Sequence, residues 1–159
     1  MLKTLQSMGT LLFLALLCLA IGQLGAFFMT DEAMSWYVSL QKPAWTLPNL
    51  VFPIVQTILY IFMALSAWRV WRAKKPGYLT ALAFWCIQLV LNTLWTPIFF
   101  GQQNILYGLI MIDLLWISIM VTLILFFKHS KFAAFLMLLY LLWVTYACAL
   151  NFMIWQMNT

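Results

Sequence analysis

The chain has 159 residues, of which 67% are hydrophobic, 18% aromatic and only 7% charged. Soluble domains carry about a quarter charged residues, so this composition excludes one and sets most of the surface against lipid. Eight Lys and Arg against three Asp and Glu give a net charge of +5, but the basic residues stand as short flanks between apolar runs and form no basic face for nucleic acid.

The charge-free intervals are 4–30, 43–68, 76–112, 114–127 and 132–159, and a membrane-spanning helix needs about 20 apolar residues. The third interval is too long for one span. The run Gly101, Gln102, Gln103, Asn104, with Pro97 just before it, supplies a turn that divides it. The reading is an all-α, single-domain integral membrane bundle of five transmembrane helices, at about 7–29, 48–71, 79–100, 105–127 and 132–156.

Lys3 ahead of an apolar run containing Cys18 resembles a secretory or lipoprotein leader. The apolar stretch continues through Phe28, longer than a signal core, and Leu17 is bulky where processing wants a small residue. The segment is therefore expected to remain as the first helix. Its Gly22 and Ala26 have the small-xxx-small spacing that permits close helix contact, within the chain or between subunits.

Residues 30–47 form the longest stretch that reads as neither helical nor strongly apolar, and they hold Trp36, Tyr37 and Trp45. Helix connections are usually shorter than about eight residues, so this one reads as a lid folded back on the bundle. The other reading is an aromatic belt at headgroup depth.

On the second helix Phe52, Gln56 and Tyr60 repeat every four residues, and the helix ends in the interfacial anchor Trp68, Arg69, Val70, Trp71, Arg72. On the third, Gln88, Asn92 and Trp95 share one face, and amides in lipid need partners, so that face is expected to point inward. The fourth carries Asp113, the one carboxylate inside a span, about 12 Å from the helix start. With no charged partner in another span it reads as a structural hydrogen-bonding group rather than a proton relay. On the fifth, Tyr140, Trp143, Ala147, Leu150 and Asn151 form a stripe. The three stripes fit either plain helix packing or an enclosed, mostly apolar pocket with a few polar handles.

Five crossings put Lys3, Arg69, Arg72, Lys74, Lys75, Lys128 and Lys131 on one side and Lys42, Asp31 and Glu32 on the other. The positive-inside rule then predicts a cytoplasmic N-terminus, with the C-terminus and the lid outside. Cys18, Cys86 and Cys148 fall within separate spans and read as packing residues rather than disulfide partners. His129 is the one histidine, so no metal site and no histidine-ligated haem is expected within the bundle. The sequence offers no phosphate-cradling glycine loop and no serine, histidine and acid set.

Four segments carry a family resemblance: Trp36 to Thr46 (WYVSLQKPAWT), Leu91 to Gly101 (LNTLWTPIFFG), Asp113 with Leu114 and Leu115, and Tyr140 to Asn151 (YLLWVTYACALN). In order and separation they resemble the TspO/MBR family, which comprises bacterial tryptophan-rich sensory proteins and the mitochondrial translocator protein, or peripheral-type benzodiazepine receptor. The resemblance implies a five-helix bundle, commonly a homodimer, in a bacterial inner membrane. It also implies a pocket between the helices, under the first loop, that binds porphyrins such as protoporphyrin IX, isoquinoline carboxamides or benzodiazepines. Tyr37, Trp45, Phe52, Tyr60, Asn92, Trp95, Trp143, Ala147 and Leu150 are carried over to that pocket by position, and Gln56 and Gln88 join them from the stripes.

The chain departs from the family pattern at three places. Leu47 replaces the first proline of the Trp-Thr-Pro-Pro turn, Gln56 replaces a helix-2 tryptophan, and Leu139 replaces the proline before Tyr140, which predicts a straighter helix. The end of the fifth helix also lacks the Tyr followed by Lys or Arg of the proposed sterol motif.

The leading functional expectation is a membrane binding or sensor protein with porphyrin as ligand and no required cofactor. Its propionates would approach Lys42. The alternatives are a light-dependent porphyrin-degrading enzyme, for which Trp143 is the one candidate residue, and a carrier of tetrapyrroles or other hydrophobic molecules. No catalytic residue is assigned otherwise.

Overall fold

Inside a bilayer every backbone N–H and C=O must be satisfied within its own segment, so the long apolar runs become helices. In the computed structural model, which describes residues 2–159 and side-chain surroundings from residue 7 onward, these are α1 (Leu2–Ala26), α3 (Val51–Ala73), α4 (Tyr78–Thr96), α5 (Ile105–His129) and α6 (Lys131–Asn158). A short α2 (Asp31–Ser39) lies between the first two, and a π-helical turn (Pro97–Gly101) continues α4. Five helical segments, Ser7–Ala26, Val51–Ala73, Tyr78–Gly101, Ile105–His129 and Lys131–Asn158, are long and apolar enough to cross a membrane.

The helices alternate in direction and close a ring in the order α1, α3, α6, α5, α4, with α4 returning to α1 and α3 also touching α4 and α5. The ring's interior is one buried cluster that includes Cys18, Met63, Ala67, Trp85, Ile119, Phe126, Met137 and Tyr140. The outward faces carry Leu12, Phe13, Ile58, Ile117, Ile124, Phe135 and Leu142, which lipid covers. Lys3, counted above among the basic flanks, has its side chain outside the described residues.

Residues 30–47 are corrected in part: they are not wholly irregular, because 31–39 form α2. The signal lies in the first three residues. Thr30 accepts from the Ala33 N–H at 3.2 Å as an N-cap, and Asp31 and Glu32 complement the helix dipole in the first turn. The flanking helices shift accordingly. α1 ends at Ala26, where the Phe28 and Met29 N–H groups donate to Gly25 and Ala26 carbonyls at 3.1 Å, and α3 begins at Val51 after a turn closed on the Pro48 carbonyl.

Pro97 accounts for the other boundary difference. It lacks an N–H, so the helix expected to run unbroken to residue 100 changes to π geometry there. Asn104 and Ser130 then cap α5 and α6, accepting from the Tyr107 and Ala133 N–H groups. α6 runs through Leu139 without interruption.

Gly22 serves contact within the chain. A Cβ there would stand 2.5 Å from the Tyr60 ring of α3, so the glycine is what lets that ring lie between the two helices. Gly22→Val is expected to lower stability in detergent by about 1–3 kcal/mol through overpacking. Gly9→Val, the same change in the same helix where a Cβ meets nothing within 4 Å, serves as the control that lacks the overpacking in the same thermal unfolding measurement.

Candidate functional site

The polar centre of the bundle is Asn92. The Tyr60 hydroxyl of α3 donates to Asn92 Oδ1 at 2.6 Å, and Asn92 Nδ2 donates to the Tyr140 hydroxyl of α6 at 2.6 Å. Gln56 Nε2 approaches the same Oδ1 at 3.5 Å, the outer limit for a bond. Three helices are thereby joined through one amide. Gln56, Tyr60, Asn92 and Tyr140 come from the stripes that the sequence placed on inward faces.

From Asn92 toward the lid the lining becomes aromatic. Trp95 stacks on Phe99 at 5.1 Å with 13° between planes and meets Phe100 edge-on at 5.9 Å. Phe52, Trp143 and Tyr146 form a second group, with Phe52 to Trp143 at 5.6 Å and Trp143 to Tyr146 at 5.5 Å. These rings lean on one another in offset and edge-to-face arrangements, the preferred geometries for aromatic pairs. Trp95 packs on both buried clusters of the protein, yet its buried indole Nε1–H has no hydrogen-bond partner.

The lid closes on these rings. Trp36 and Tyr37 of α2 meet Phe99 at 5.4 and 6.2 Å, and Tyr37 meets Phe100 at 5.5 Å. Trp45 stands edge-on to Tyr146 at 5.7 Å, whose hydroxyl accepts from the Leu47 N–H at 3.1 Å. At the far end of α6 the Asn158 side chain clasps the Gln41 backbone, accepting from its N–H at 3.0 Å and donating to its C=O at 2.9 Å. The lid is therefore tied to α6 at two points.

Lys42 is engaged within the lid. Its ammonium donates to the carbonyls of Tyr37, Val38 and Leu40 and lies 4.6 Å from the Tyr37 ring centre, so it caps the C-terminus of α2. Burial pushes the Lys42 ammonium below its usual pKa. Burial, and secondarily Tyr146, pushes the Tyr37 phenol up.

The structure gathers Tyr37, Phe52, Trp95 and Leu150 around one cluster and joins Trp45 and Trp143 to it through Tyr146. Ala147 packs beside the main core. Gln88 stands apart: it is fully buried a turn deeper, with Nε2 4.0 Å from the Met137 sulfur and Oε1 unpartnered. Asp113 turns to the exposed face of α5 beside Cys148, away from the core. Cys18 is buried and Cys86 exposed, and all three cysteines are free. Among the described residues no group of three His, Cys, Asp or Glu side chains could hold a metal ion.

Three residues central to this geometry are missing from the sequence reading of the site. Tyr146 touches Trp45, Phe52 and Trp143, and its position three residues after Trp143 is the signal that would have found it. Phe99 and Phe100 follow Trp95 by four and five residues, and the π turn after Pro97 keeps both buried.

Fold and site together define an integral membrane protein, a five-span bundle with an aromatic site under an ordered lid. The TspO/MBR family model matches residues 14–156, and the chain belongs to that family. It is 43% identical over 146 residues to the tryptophan-rich protein TspO of Chlorobaculum tepidum, covering 89% of this chain and 91% of that one. It is 41% identical over 143 residues to the protein CrtK of Rhodobacter capsulatus, covering 89% and 88%. With the human translocator protein it shares 35% identity over 141 residues, covering 84% and 81%.

Asn92→Leu is expected to leave the Tyr60 and Tyr140 hydroxyls without their amide and to cost about 2–4 kcal/mol, read as a drop in thermal unfolding midpoint in detergent. Tyr146→Phe removes only the bond to Leu47. A loss of about 0.5–1.5 kcal/mol is expected, with faster amide exchange confined to residues near 45–50.

Proposed function

We propose that the protein is a membrane sensor whose aromatic site, closed by the lid, binds a porphyrin such as protoporphyrin IX, as ligand rather than cofactor. The observation that carries this reading is the unpartnered indole N–H of Trp95, buried among stacked rings directly below α2. A buried donor without an acceptor is costly, and the polar edge of a flat ligand lying in line with the indole N–H would relieve it while the ligand's faces pack on neighbouring rings such as Trp143. Asn92 and Gln56 offer further polar contacts from below.

The rings pack against one another, so binding requires the lid to lift and the rings to separate. That coupling turns occupancy into a change at the surface, which is the property a sensor needs. The name of one relative points the same way, a tryptophan-rich sensory protein from Cereibacter sphaeroides, whereas that of the human translocator protein fits the carrier reading. The proposal includes a bacterial inner membrane, a cytoplasmic N-terminus with the lid outside, and a homodimer.

The test is titration of protoporphyrin IX into detergent-purified protein in the dark, read by quenching of tryptophan fluorescence. Trp143→Ala is expected to weaken binding about tenfold, which corresponds to about 1.4 kcal/mol. Trp95→Phe, which keeps the ring and removes the N–H, is expected to weaken it several-fold. Unchanged affinity in both variants would overturn the reading. Faster bleaching of bound than of free porphyrin under light would move the assignment to oxidative degradation, with Trp143 as the reacting side chain.

A further inference from the structure

At the end of the bundle opposite the lid, a cavity of about 280 Å³ is lined by Arg69, Arg72, Ala73, His129 and Ser130. The C-terminal turn of α3 meets the junction of α5 and α6 there. No carboxylate stands near this cavity. The chain's three acids are Asp31 and Glu32, at the start of α2, and Asp113, which precedes His129 by 16 residues of helix, or about 24 Å.

The two guanidinium groups rest on aromatic faces. Arg69 lies 5.2 Å from the Phe132 ring and 5.7 Å from that of Trp68, and Arg72 lies 4.8 Å from Trp68. Contacts with ring faces hold a guanidinium in place and leave its N–H edge free for a bidentate acceptor. His129 is only 7% exposed, and its Nδ1 has no hydrogen-bond partner. Ser130 caps α6, while α3 ends at Ala73 and α5 at His129 beside the same cavity, so one positive helix end is offset by two negative ones and the attraction for an anion rests on the guanidinium groups.

We propose that this cavity binds a phosphate group carrying net negative charge. Two Arg forks and an unpartnered buried imidazole, with no acid to neutralise them, match the tetrahedral, multiply accepting phosphate better than any neutral ligand. Trp68 and Trp71 mark headgroup depth at this end. The phosphate therefore comes either from an anionic lipid headgroup or from a free phosphate in the adjoining solution.

The full chain in a neutral detergent is heated with dioctanoyl phosphatidylglycerol, with dioctanoyl phosphatidylcholine, or with sodium phosphate at constant ionic strength, and unfolding is followed by intrinsic fluorescence. Phosphatidylglycerol is expected to raise Tm saturably and phosphatidylcholine to have a much smaller effect. An effect of phosphatidylglycerol alone identifies a lipid headgroup, and an equal effect of sodium phosphate identifies the free anion. Either supports the site provided that Arg69→Gln with Arg72→Gln weakens the response at least fivefold while Lys74→Gln does not. Should the double arginine variant fail to fold, Arg72→Gln alone, at an exposed position, is expected to weaken it at least twofold. Equal responses to the two lipids, no response to any probe, or equal losses in the arginine and lysine variants would overturn the proposal.

Discussion

An amide enclosed by an apolar helix bundle must find its partners inside the protein, and Asn92 finds them on two other helices. Leaving such a group bare costs on the order of several kcal/mol, more than a few misplaced apolar contacts. The register of α3, α4 and α6 is therefore fixed at this level, with Tyr60 and Tyr140 as the two arms. Gly22 follows from the same constraint, since α1 can reach α3 only where the Tyr60 ring has room. The aromatic layers toward the lid inherit their positions from it: Gln56 and Phe52 stand one and two turns along α3, and Trp95 and Trp143 stand one turn along α4 and α6.

The lid is held differently from the bundle. Its attachments to α6 are a hydrogen bond to Tyr146, an amide clasp from Asn158 and ring contacts, each modest in energy. Segments held by a few such contacts open at lower cost than the core. The division suits the proposed function, in which a rigid polar floor would keep its geometry while the cover and the rings beneath it rearranged around a ligand.

Most of the architecture was legible in the sequence. Five apolar runs, the turn after Gly101 and the shared faces of Gln56 with Tyr60 and of Asn92 with Trp95 follow from length and helical period alone. Two features were hidden for physical reasons. α2 is too short and too polar to stand out by hydropathy, and only its Thr30 cap with two acidic residues announces it. The burial of Phe99 and Phe100 depends on the π turn that Pro97 imposes, which no regular periodicity anticipates. Gln88 shares a face with Asn92 yet stands a turn deeper against Met137, since period gives the face of a helix and not the depth at which a ligand would stop. The family resemblance named the pocket residues by position, but the bonding of Asn92 to two tyrosines emerges only from the packed helices.

The central claim is that the aromatic site fills only when the lid leaves α6. It is tested most directly by tethering the two across the Asn158 clasp. Gln41→Cys and Asn158→Cys, with Cys86→Ala and Cys148→Ala to silence the more accessible thiols, are joined by a short bis-maleimide before protoporphyrin IX is added. The account predicts that the tethered protein takes up porphyrin at least tenfold more slowly than the same protein carrying two separate maleimide caps. Equal uptake by the tethered and capped proteins would contradict it.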